Sequence, residues 1–264
     1  MPYVEVEPGV KLFYEINGTG KTILFVHGWT MSHDVWEYQV SSLAERYRTV
    51  VLDLRGHGDS DKPWSGYTYD VYARDIENFT AQMGLEDFTY VGWSMGAAIG
   101  LHYITRLASR ASKFVSVDGV IPYFIAQEKL PFGPSKREVN SWIKQEKVIR
   151  PEFTKRFVDN MFYQPNLRYT KLWIFNICMK ATWHAAIESL KLLRDTNLSD
   201  LMAKIKIPVA IMHGIHDQVV PFQFAQYAAQ RIPGSVLTSF QHSGHAPFIE
   251  ESSVFNRRLV NFIG

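Results

Sequence analysis

The pentapeptide Gly-Trp-Ser-Met-Gly at residues 92–96 constrains the fold of this chain more than any other stretch. A β-rich run over residues 87–91 ends abruptly at it, and apolar residues at helical spacing follow over residues 95–109. A serine in a strand-to-helix turn, with glycine two residues away on each side, is the nucleophile-elbow pattern. In so sharp a turn a β-carbon at either glycine would collide with neighbouring backbone, and we expect strained dihedrals at the serine. The pattern therefore places Ser94 at the carboxyl edge of a sheet and at a helix N-terminus, where N–H groups can meet an oxyanion.

Strands and helices alternate along most of the chain. The hydrophobic pattern predicts strands at 3–6, 11–16, 22–26, 48–53, 87–91, 113–117, 207–213 and 235–240, and helices at 34–47, 69–83, 95–109, 221–231 and 246–263. The run Thr22–Val26 is continuously apolar, as expected for a strand that is buried on both faces. The alternation predicts an α/β protein with a doubly wound, mostly parallel, eight-stranded sheet.

The pattern changes between residues 122 and 200, where no strand signal is found and helical stretches carry many aromatic side chains. We interpret this segment as a helical cap inserted after the sixth strand, with residues 1–121 and 201–264 forming the core domain. Two roles are open for its aromatic residues: a small core within the cap, or an inner face that lines a substrate pocket. Most of them are expected to be core.

Composition excludes several classes of protein. The 264 residues have a formal net charge of +2 and no basic stripe interleaved with aromatic residues, so no nucleic-acid partner is expected. No stretch reaches the roughly 18 apolar residues of a membrane span, and no signal peptide is visible. Cys178 is the single cysteine, which excludes an internal disulfide and fits a reducing compartment. A cytoplasmic location is the resulting expectation.

Ser94, Asp217 and His245 follow predicted strands in the order Ser, Asp, His that is typical of α/β-hydrolases. Their chemistry is complementary. A serine hydroxyl is a poor nucleophile without a base, an imidazole titrates near neutral pH, and a carboxylate fixes the imidazole tautomer. His245 is chosen from nine histidines because it lies in Ser-Gly-His-Ala-Pro, between the last strand and the last helix.

Two alternatives concern these residues. Asp118 also follows a strand, and some hydrolases of this fold place the acid there; Asp217 is preferred because it lies in the usual acid turn, His-Gly-Ile-His-Asp-Gln-Val-Val-Pro. A zinc site made of histidines from the 213–216 and 242–245 turns is disfavoured. No His-Glu-x-x-His is present, and glycines flank the candidates. We therefore predict no metal.

The turn His27-Gly28-Trp29 ends the third strand, and Gly28 allows close backbone approach. We expect the N–H groups of Trp29 and Met95 to form an oxyanion hole. Residues 55–60, Arg-Gly-His-Gly-Asp-Ser, lack the ending of a phosphate-binding loop and are interpreted as a structural turn at the edge of the site. The predicted substrate-binding residues are Trp93, Phe124 and Trp183.

Along its whole length the chain resembles an α/β-hydrolase, and it is most similar to the non-haem haloperoxidase/carboxylesterase group of serine hydrolases. The resemblance rests on the motifs at 27–29, 53–60, 92–96, 213–217 and 244–245. It implies an α/β-hydrolase fold and an acyl-enzyme mechanism: Ser94 attacks an ester carbonyl, and water deacylates with His245 as base. It implies no metal or organic cofactor, and in relatives with haloperoxidase activity hydrogen peroxide replaces water.

The sequence favours small to medium neutral esters or lactones as substrates, because the cap segment has no cluster of Arg or Lys on a short stretch to offset a carboxylate. Other functions stay open. One is a hydrolase-fold ligand receptor or signalling protein with slow or single turnover. Others are a carrier-protein methyl ester esterase and a C–C bond hydrolase.

Overall fold

The structure, a computed structural model, describes residues 2–107, 109–128 and 130–264. The strands are β1 (Tyr3–Glu7), β2 (Val10–Asn17), β3 (Thr22–Val26), β4 (Arg48–Leu52), β5 (Phe88–Trp93), β6 (Ala111–Val117), β7 (Val209–Gly214) and β8 (Val236–Phe240). The helices are α1 (Glu37–Leu43), α2 (Tyr69–Gln82), α3 (Met95–Arg106), α4 (Lys136–Val148), α5 (Arg150–Met161), α6 (Arg168–Met179), α7 (Trp183–Asp195), α8 (Ser199–Met202), α9 (Gln223–Arg231), α10 (Pro247–Glu250) and α11 (Ser252–Ile263).

The eight strands form one sheet in the order β1-β2-β4-β3-β5-β6-β7-β8. The pairs β1–β2 and β2–β4 are antiparallel, and every pair from β4 to β8 across the sheet is parallel. This is the predicted doubly wound, mostly parallel sheet. Since parallel strands end at the same edge, the segments after β3, β5, β6, β7 and β8 meet there.

Successive side chains of β3 enter two separate cores, one on each face of the sheet. Leu24 and Val26 pack with residues of α2, α3 and α9 on one face. Ile23 and Phe25 pack with residues of α1 and α11 on the other. All four side chains are fully buried, which explains why this strand is continuously apolar rather than alternating.

Helices α4 to α7 lie between β6 and β7, in the segment predicted to be a cap. Helix α4 begins with a capping box in which the Ser135 hydroxyl accepts from the N–H of Glu138 and the Glu138 carboxylate accepts from the N–H of Ser135. An isolated bridge pairs Tyr123 with Asn197, so the two ends of the segment lie side by side. The division into a core and a cap domain stays a prediction.

Three predicted helices differ from those observed. The stretch 34–47 begins as a 3₁₀ turn (His33–Trp36) before α1, and 246–263 is divided into α10 and α11 at Glu251, whose backbone leaves the helical region. Helix α3 ends at Arg106, where Leu107 is extended; the predicted helical residue Ala108 lies outside the described residues.

Candidate active site

The turn between β5 and α3 holds Ser94 in a strained conformation. Its φ is +54° and its ψ is −117°, which a residue with a side chain rarely adopts. A β-carbon at Gly92 would lie 2.5 Å from the carbonyl oxygen of Gly96. One at Gly96 would lie 2.4 Å from the carbonyl oxygen of Val26 in β3. The steric reason for both glycines is therefore confirmed, and the strain at Ser94 is maintained by backbone on two sides.

The loop after β3 lies directly against this turn, because a β-carbon at Gly28 would be 3.0 Å from the β-carbon of Ser94. His27 fixes the loop: its Nδ1 donates to the carbonyl of Gly28 at 2.8 Å, and its Nε2 accepts from the N–H of Leu54 at 3.0 Å. Burial lowers the pKa of His27 to about 4, so the imidazole is neutral and can donate from one ring nitrogen while it accepts at the other.

The two N–H groups expected to bind an oxyanion are without a protein acceptor. Within the described part of the chain, neither Trp29 nor Met95 donates its backbone N–H to another residue. Met95 is the first residue of α3, where N–H groups have no partner within the helix and the helix dipole favours negative charge. Met95 follows Ser94 in the chain, and Trp29 follows Gly28, which lies against Ser94. Both N–H groups could therefore donate to an oxygen bound at Ser94.

Asp217 and His245 are in direct contact at this edge of the sheet, on the segments that follow β7 and β8. His245 Nδ1 lies 2.7 Å from Asp217 Oδ2, and both side chains are buried. The other oxygen, Oδ1, accepts from the N–H groups of Val219 at 2.8 Å and Val220 at 2.9 Å. Burial acts to raise the pKa of Asp217, but His245 and His213 outweigh it and lower that pKa below its usual range. Asp217 is therefore a carboxylate, suited to hold His245 with its Nδ1 protonated.

The second acid, Asp118, hydrogen-bonds to the backbone at the end of β7 and not to His245. Its Oδ1 accepts from the N–H of Gly214 at 2.9 Å and lies 3.6 Å from His213 Nε2. Burial and the charge of Asp217 raise the pKa of Asp118 well above its usual range. Both effects favour the protonated form of Asp118, and Asp217 is the acid in contact with the histidine.

Trp93 connects the turn at Ser94 to the turn at His245. Its indole Nε1 donates to the carbonyl oxygen of His245 at 2.7 Å. Ser94 and His245 do not hydrogen-bond to each other in this conformation, and apo sites often close such contacts only when substrate binds. The ring of Trp93 packs between Trp36 and Phe248 in the core below the sheet. Trp93 is therefore a buried core residue, which corrects the prediction that it binds substrate.

Two glutamates that sequence analysis did not identify hold the turn that carries His245. One is Glu250, whose carboxylate accepts three backbone N–H groups, donated by Tyr163, Gln164 and Gly244. The other is Glu251, which accepts from the N–H of His242 and the hydroxyl of Ser243. The N–H of His245 donates to the carbonyl of Met161 at 2.6 Å. The end of α5 and the histidine turn are therefore joined. A Glu-Glu pair after a Gly-His turn is the signal that could have indicated this.

A cavity of about 220 Å³ adjoins Ser94. Its lining comes from the β3 and β6 loops, α4, α5, α7 and the turn after Asp217, and consists of Trp29, Ser94, Val120, Phe124, Trp142, Gln145, Phe153, Arg156, Phe157, Asn160, Leu190, Leu193, Gln218 and Val219. Phe124 is among these residues. Trp183 is not: it is 48% exposed at the start of α7 and packs edge-on against Trp64. This corrects its assignment, since the Trp183 side chain faces outward while Leu190 and Leu193 face the cavity.

The 55–60 turn is structural, as predicted. Arg55 is buried and pairs with Asp75 through two contacts of 2.6 Å, from Nε and from a terminal nitrogen. Asp53 accepts from the backbone and ring of His33 and from the N–H of Asp59. The N–H groups of Gly56, His57, Asp59 and Ser60 also donate to acceptors within the protein, so these four are not free to bind a phosphate.

Two groups of side chains in the described residues have ligand atoms close enough for a metal ion: His33, Asp53 and Asp59, and Asp118, Asp217 and His245. In each, the histidine Nδ1 already pairs with a carboxylate at 2.9 Å and 2.7 Å respectively. The expectation of no metal and no organic cofactor stays a prediction. Cys178 is buried, and burial raises the pKa of its thiol to about 12, which leaves it unreactive.

None of the helices that the structure describes is long and apolar enough to cross a membrane. A parallel sheet that presents a strained serine at its carboxyl edge, with an Asp–His pair on the loops that follow, defines a protein of the hydrolase type built on an α/β scaffold.

Comparison with known proteins gives the same class. A model of the alpha/beta hydrolase fold matches residues 21–252, and the chain belongs to this family. It is 35% identical to the AB hydrolase superfamily protein YisY of Bacillus subtilis, over 98% of each chain. It is 30% identical to a non-heme haloperoxidase of Rhodococcus erythropolis, over 100% of this chain and 99% of the other. Among solved structures, an esterase from Exiguobacterium antarcticum superposes with a TM-score of 0.96 at 35% identity, covering 99% of this chain and 98% of the other. The predicted fold and the resemblance to the haloperoxidase/esterase group are confirmed.

Proposed function

We propose that this protein is a carboxylic ester hydrolase that works through an acyl-enzyme on Ser94. The observation that carries the proposal is the combination at one sheet edge of a strained serine, two N–H groups without acceptors, and a histidine hydrogen-bonded at 2.7 Å to a buried carboxylate. Similarity to an esterase over nearly the whole chain supports it.

In the proposed reaction, His245 Nε2 takes the proton of Ser94 as Oγ attacks the ester carbonyl. The oxygen of the tetrahedral intermediate accepts from the N–H groups of Trp29 and Met95. Asp217 stabilises the imidazolium, which then protonates the leaving alcohol. Water, deprotonated by His245, attacks the acyl carbonyl. The bond to Oγ then breaks, the acid is released, and the His245 imidazolium returns its proton to Ser94. His245 needs an unprotonated Nε2 to accept the serine proton. Its Nδ1 pairs with Asp217, which leaves Nε2 for this role.

The cavity sets the size of the substrate. Its floor is apolar and aromatic, with Trp29 and Phe153 buried, so an acyl or alcohol chain gains from burial by about 25 cal/mol per Å². A volume of about 220 Å³ suits esters or lactones of small to medium size. Long triglyceride chains exceed it.

Perhydrolysis is a second candidate activity, favoured by the similarity to a non-heme haloperoxidase. Hydrogen peroxide would take the place of water and attack the acyl-enzyme carbonyl, giving a peracid and free Ser94. The test is peracid formation from acetate and peroxide, measured beside ester hydrolysis by the same preparation.

Labelling with a fluorophosphonate, followed by peptide mapping and an ester panel, tests the main proposal. We expect the phosphonyl group on Ser94 and repeated turnover of short p-nitrophenyl esters. One slow turnover that leaves a stable adduct would instead favour a ligand receptor of this fold. Failure to label Ser94, with no ester turned over, would contradict the proposal.

A further inference from the structure

The inward face of α5 carries the one charged side chain that lines the cavity within the described residues. Phe153, Arg156, Phe157 and Asn160 are spaced i, i+3, i+4 and i+7 and form one stripe toward the cavity. Phe157 packs edge-on against the ring of Trp29 at 4.9 Å, so this stripe reaches the loop that carries a candidate oxyanion donor. Arg156 is therefore the chain neighbour of a residue that packs against Trp29.

The acids of the same helix lie on its other face. Glu152, Lys155 and Asp159 line a surface groove between α5 and α6, and Lys155 pairs with Asp159 at 2.6 Å. None of these residues lines the cavity beside Ser94. The positive charge of Arg156 consequently faces a cavity to which the described residues contribute no carboxylate.

The partner of Arg156 is a neutral amide. Its guanidinium donates to Oε1 of Gln145 on α4, which orients the side chain across two helices without neutralising it. Among the ion pairs of the described residues, none includes Arg156. Asn160 and Gln218 are further polar residues of the lining and, like Arg156, are exposed, whereas the floor is buried. The cavity thus has an apolar floor and a polar mouth with one uncompensated, oriented cation.

We propose that the cavity takes esters with a carboxylate at the end of the substrate away from the scissile bond, and that Arg156 binds this carboxylate. A planar guanidinium matches a carboxylate in geometry and charge, and the stem of the substrate would lie on the aromatic floor. This inference rests on the proposed function and narrows its substrate class. It differs from the expectation of neutral esters, which rested on the absence of an Arg or Lys cluster, because a single arginine in the cavity lining can bind one carboxylate.

The test compares paired substrates. The ratio of kcat/KM for mono-p-nitrophenyl glutarate to that for p-nitrophenyl butyrate is measured in the wild type, Arg156→Gln and Arg156→Lys; a second pair places the carboxylate on the alcohol side. We expect Arg156→Gln to lower the ratio of at least one pair about tenfold or more, the loss of a charge-assisted hydrogen bond, with Arg156→Lys in between. Lys155→Gln removes the same charge from the adjacent residue on the outer face and should leave both ratios unchanged.

A binding measurement separates this inference from the proposed function. Glutarate is titrated calorimetrically into Ser94→Ala protein with and without Arg156→Gln, and binding should be lost with the arginine. If no ester is turned over by the wild type, the proposed function fails while this titration still decides the carboxylate site. Two results together would overturn the inference. The first is that the kcat/KM ratios are unchanged in Arg156→Gln, or are lowered equally in Lys155→Gln. The second is that glutarate binding does not depend on Arg156.

Discussion

At the scale of single residues, the site contains two buried aspartates whose pKa values shift in opposite directions. His245 and His213 lower the pKa of Asp217, whereas burial and the charge of Asp217 raise the pKa of Asp118. Two like charges this close together in the protein interior repel each other, so the protonated form of Asp118 is favoured beside the Asp217 carboxylate. The same Asp→Asn substitution should therefore lower kcat by different amounts at the two positions.

Asp217→Asn should lower kcat on the order of 10⁴-fold, because an amide no longer fixes the tautomer of His245 or stabilises its imidazolium. Asp118→Asn should cost about tenfold or less, because Asp118 does not hydrogen-bond to His245 and an amide oxygen can still accept from the N–H of Gly214. The measurement is kcat for a short p-nitrophenyl ester. A larger loss in Asp118→Asn than in Asp217→Asn would show that the acid has been misassigned.

At the scale of secondary-structure elements, a buried glutamate near the end of α4 lies against the first residue of α5. Glu146 Oε1 lies 2.8 Å from Arg150 Nε, and the Glu146 side chain is buried. Burial raises the pKa of Glu146 from 4.5 to about 7 despite the nearby arginine. A carboxyl whose pKa is raised on folding stabilises the fold most when protonated, and this stabilisation is lost as pH rises through the folded-state pKa.

Stability should therefore depend on pH through Glu146. Relative to Glu146→Gln, which cannot titrate there, the wild type should lose stability on the order of 1–3 kcal/mol between about pH 4.5 and pH 7, and the difference should stay constant above that. Urea unfolding of both proteins at pH 5, 6, 7 and 8 measures this. Glu152→Gln, an exposed position on α5, is the control. A wild type that gains stability over Glu146→Gln as pH rises would contradict the assignment.

The same scale shows what sequence can and cannot predict. Local sterics and hydrophobic periodicity can be recognised within a short segment of sequence. They are sufficient to predict the elbow at 92–96, the buried strand β3 and the order of Ser94, Asp217 and His245. The inward stripe of α5 could not be predicted, because the direction a helix faces depends on how α4, α5 and α7 pack together. The prediction that Trp93 and Trp183 bind substrate is wrong for the same reason: an aromatic side chain suggests a pocket, but Trp93 packs in the core below the sheet and Trp183 is exposed.

At the scale of the whole molecule, the helices between β6 and β7 and the sheet edge enclose the cavity together. The end of α5 is joined to the histidine turn through Glu250 and through the carbonyl of Met161. Residues that define the size of the cavity and residues that carry the proposed chemistry are therefore parts of one packed unit.

Substrate length should be limited by this enclosure. In a series of p-nitrophenyl acetate, butyrate, octanoate and palmitate, kcat/KM should peak at the short or medium chains, because palmitate cannot be accommodated in about 220 Å³. The series is measured below the critical micelle concentration with the leaving group held constant. Highest kcat/KM for palmitate would mean that the helices α4 to α7 open away from the sheet.

The central claim, that Ser94 is the nucleophile of an ester hydrolase, is tested most directly by kcat/KM of wild type and Ser94→Ala on p-nitrophenyl butyrate, with circular dichroism and Tm confirming that both are folded. We expect repeated turnover by the wild type and a loss on the order of 10⁵–10⁶-fold in the variant, as for the removal of a catalytic serine that acts with a base. A folded Ser94→Ala protein that retains a tenth of the wild-type activity would contradict it.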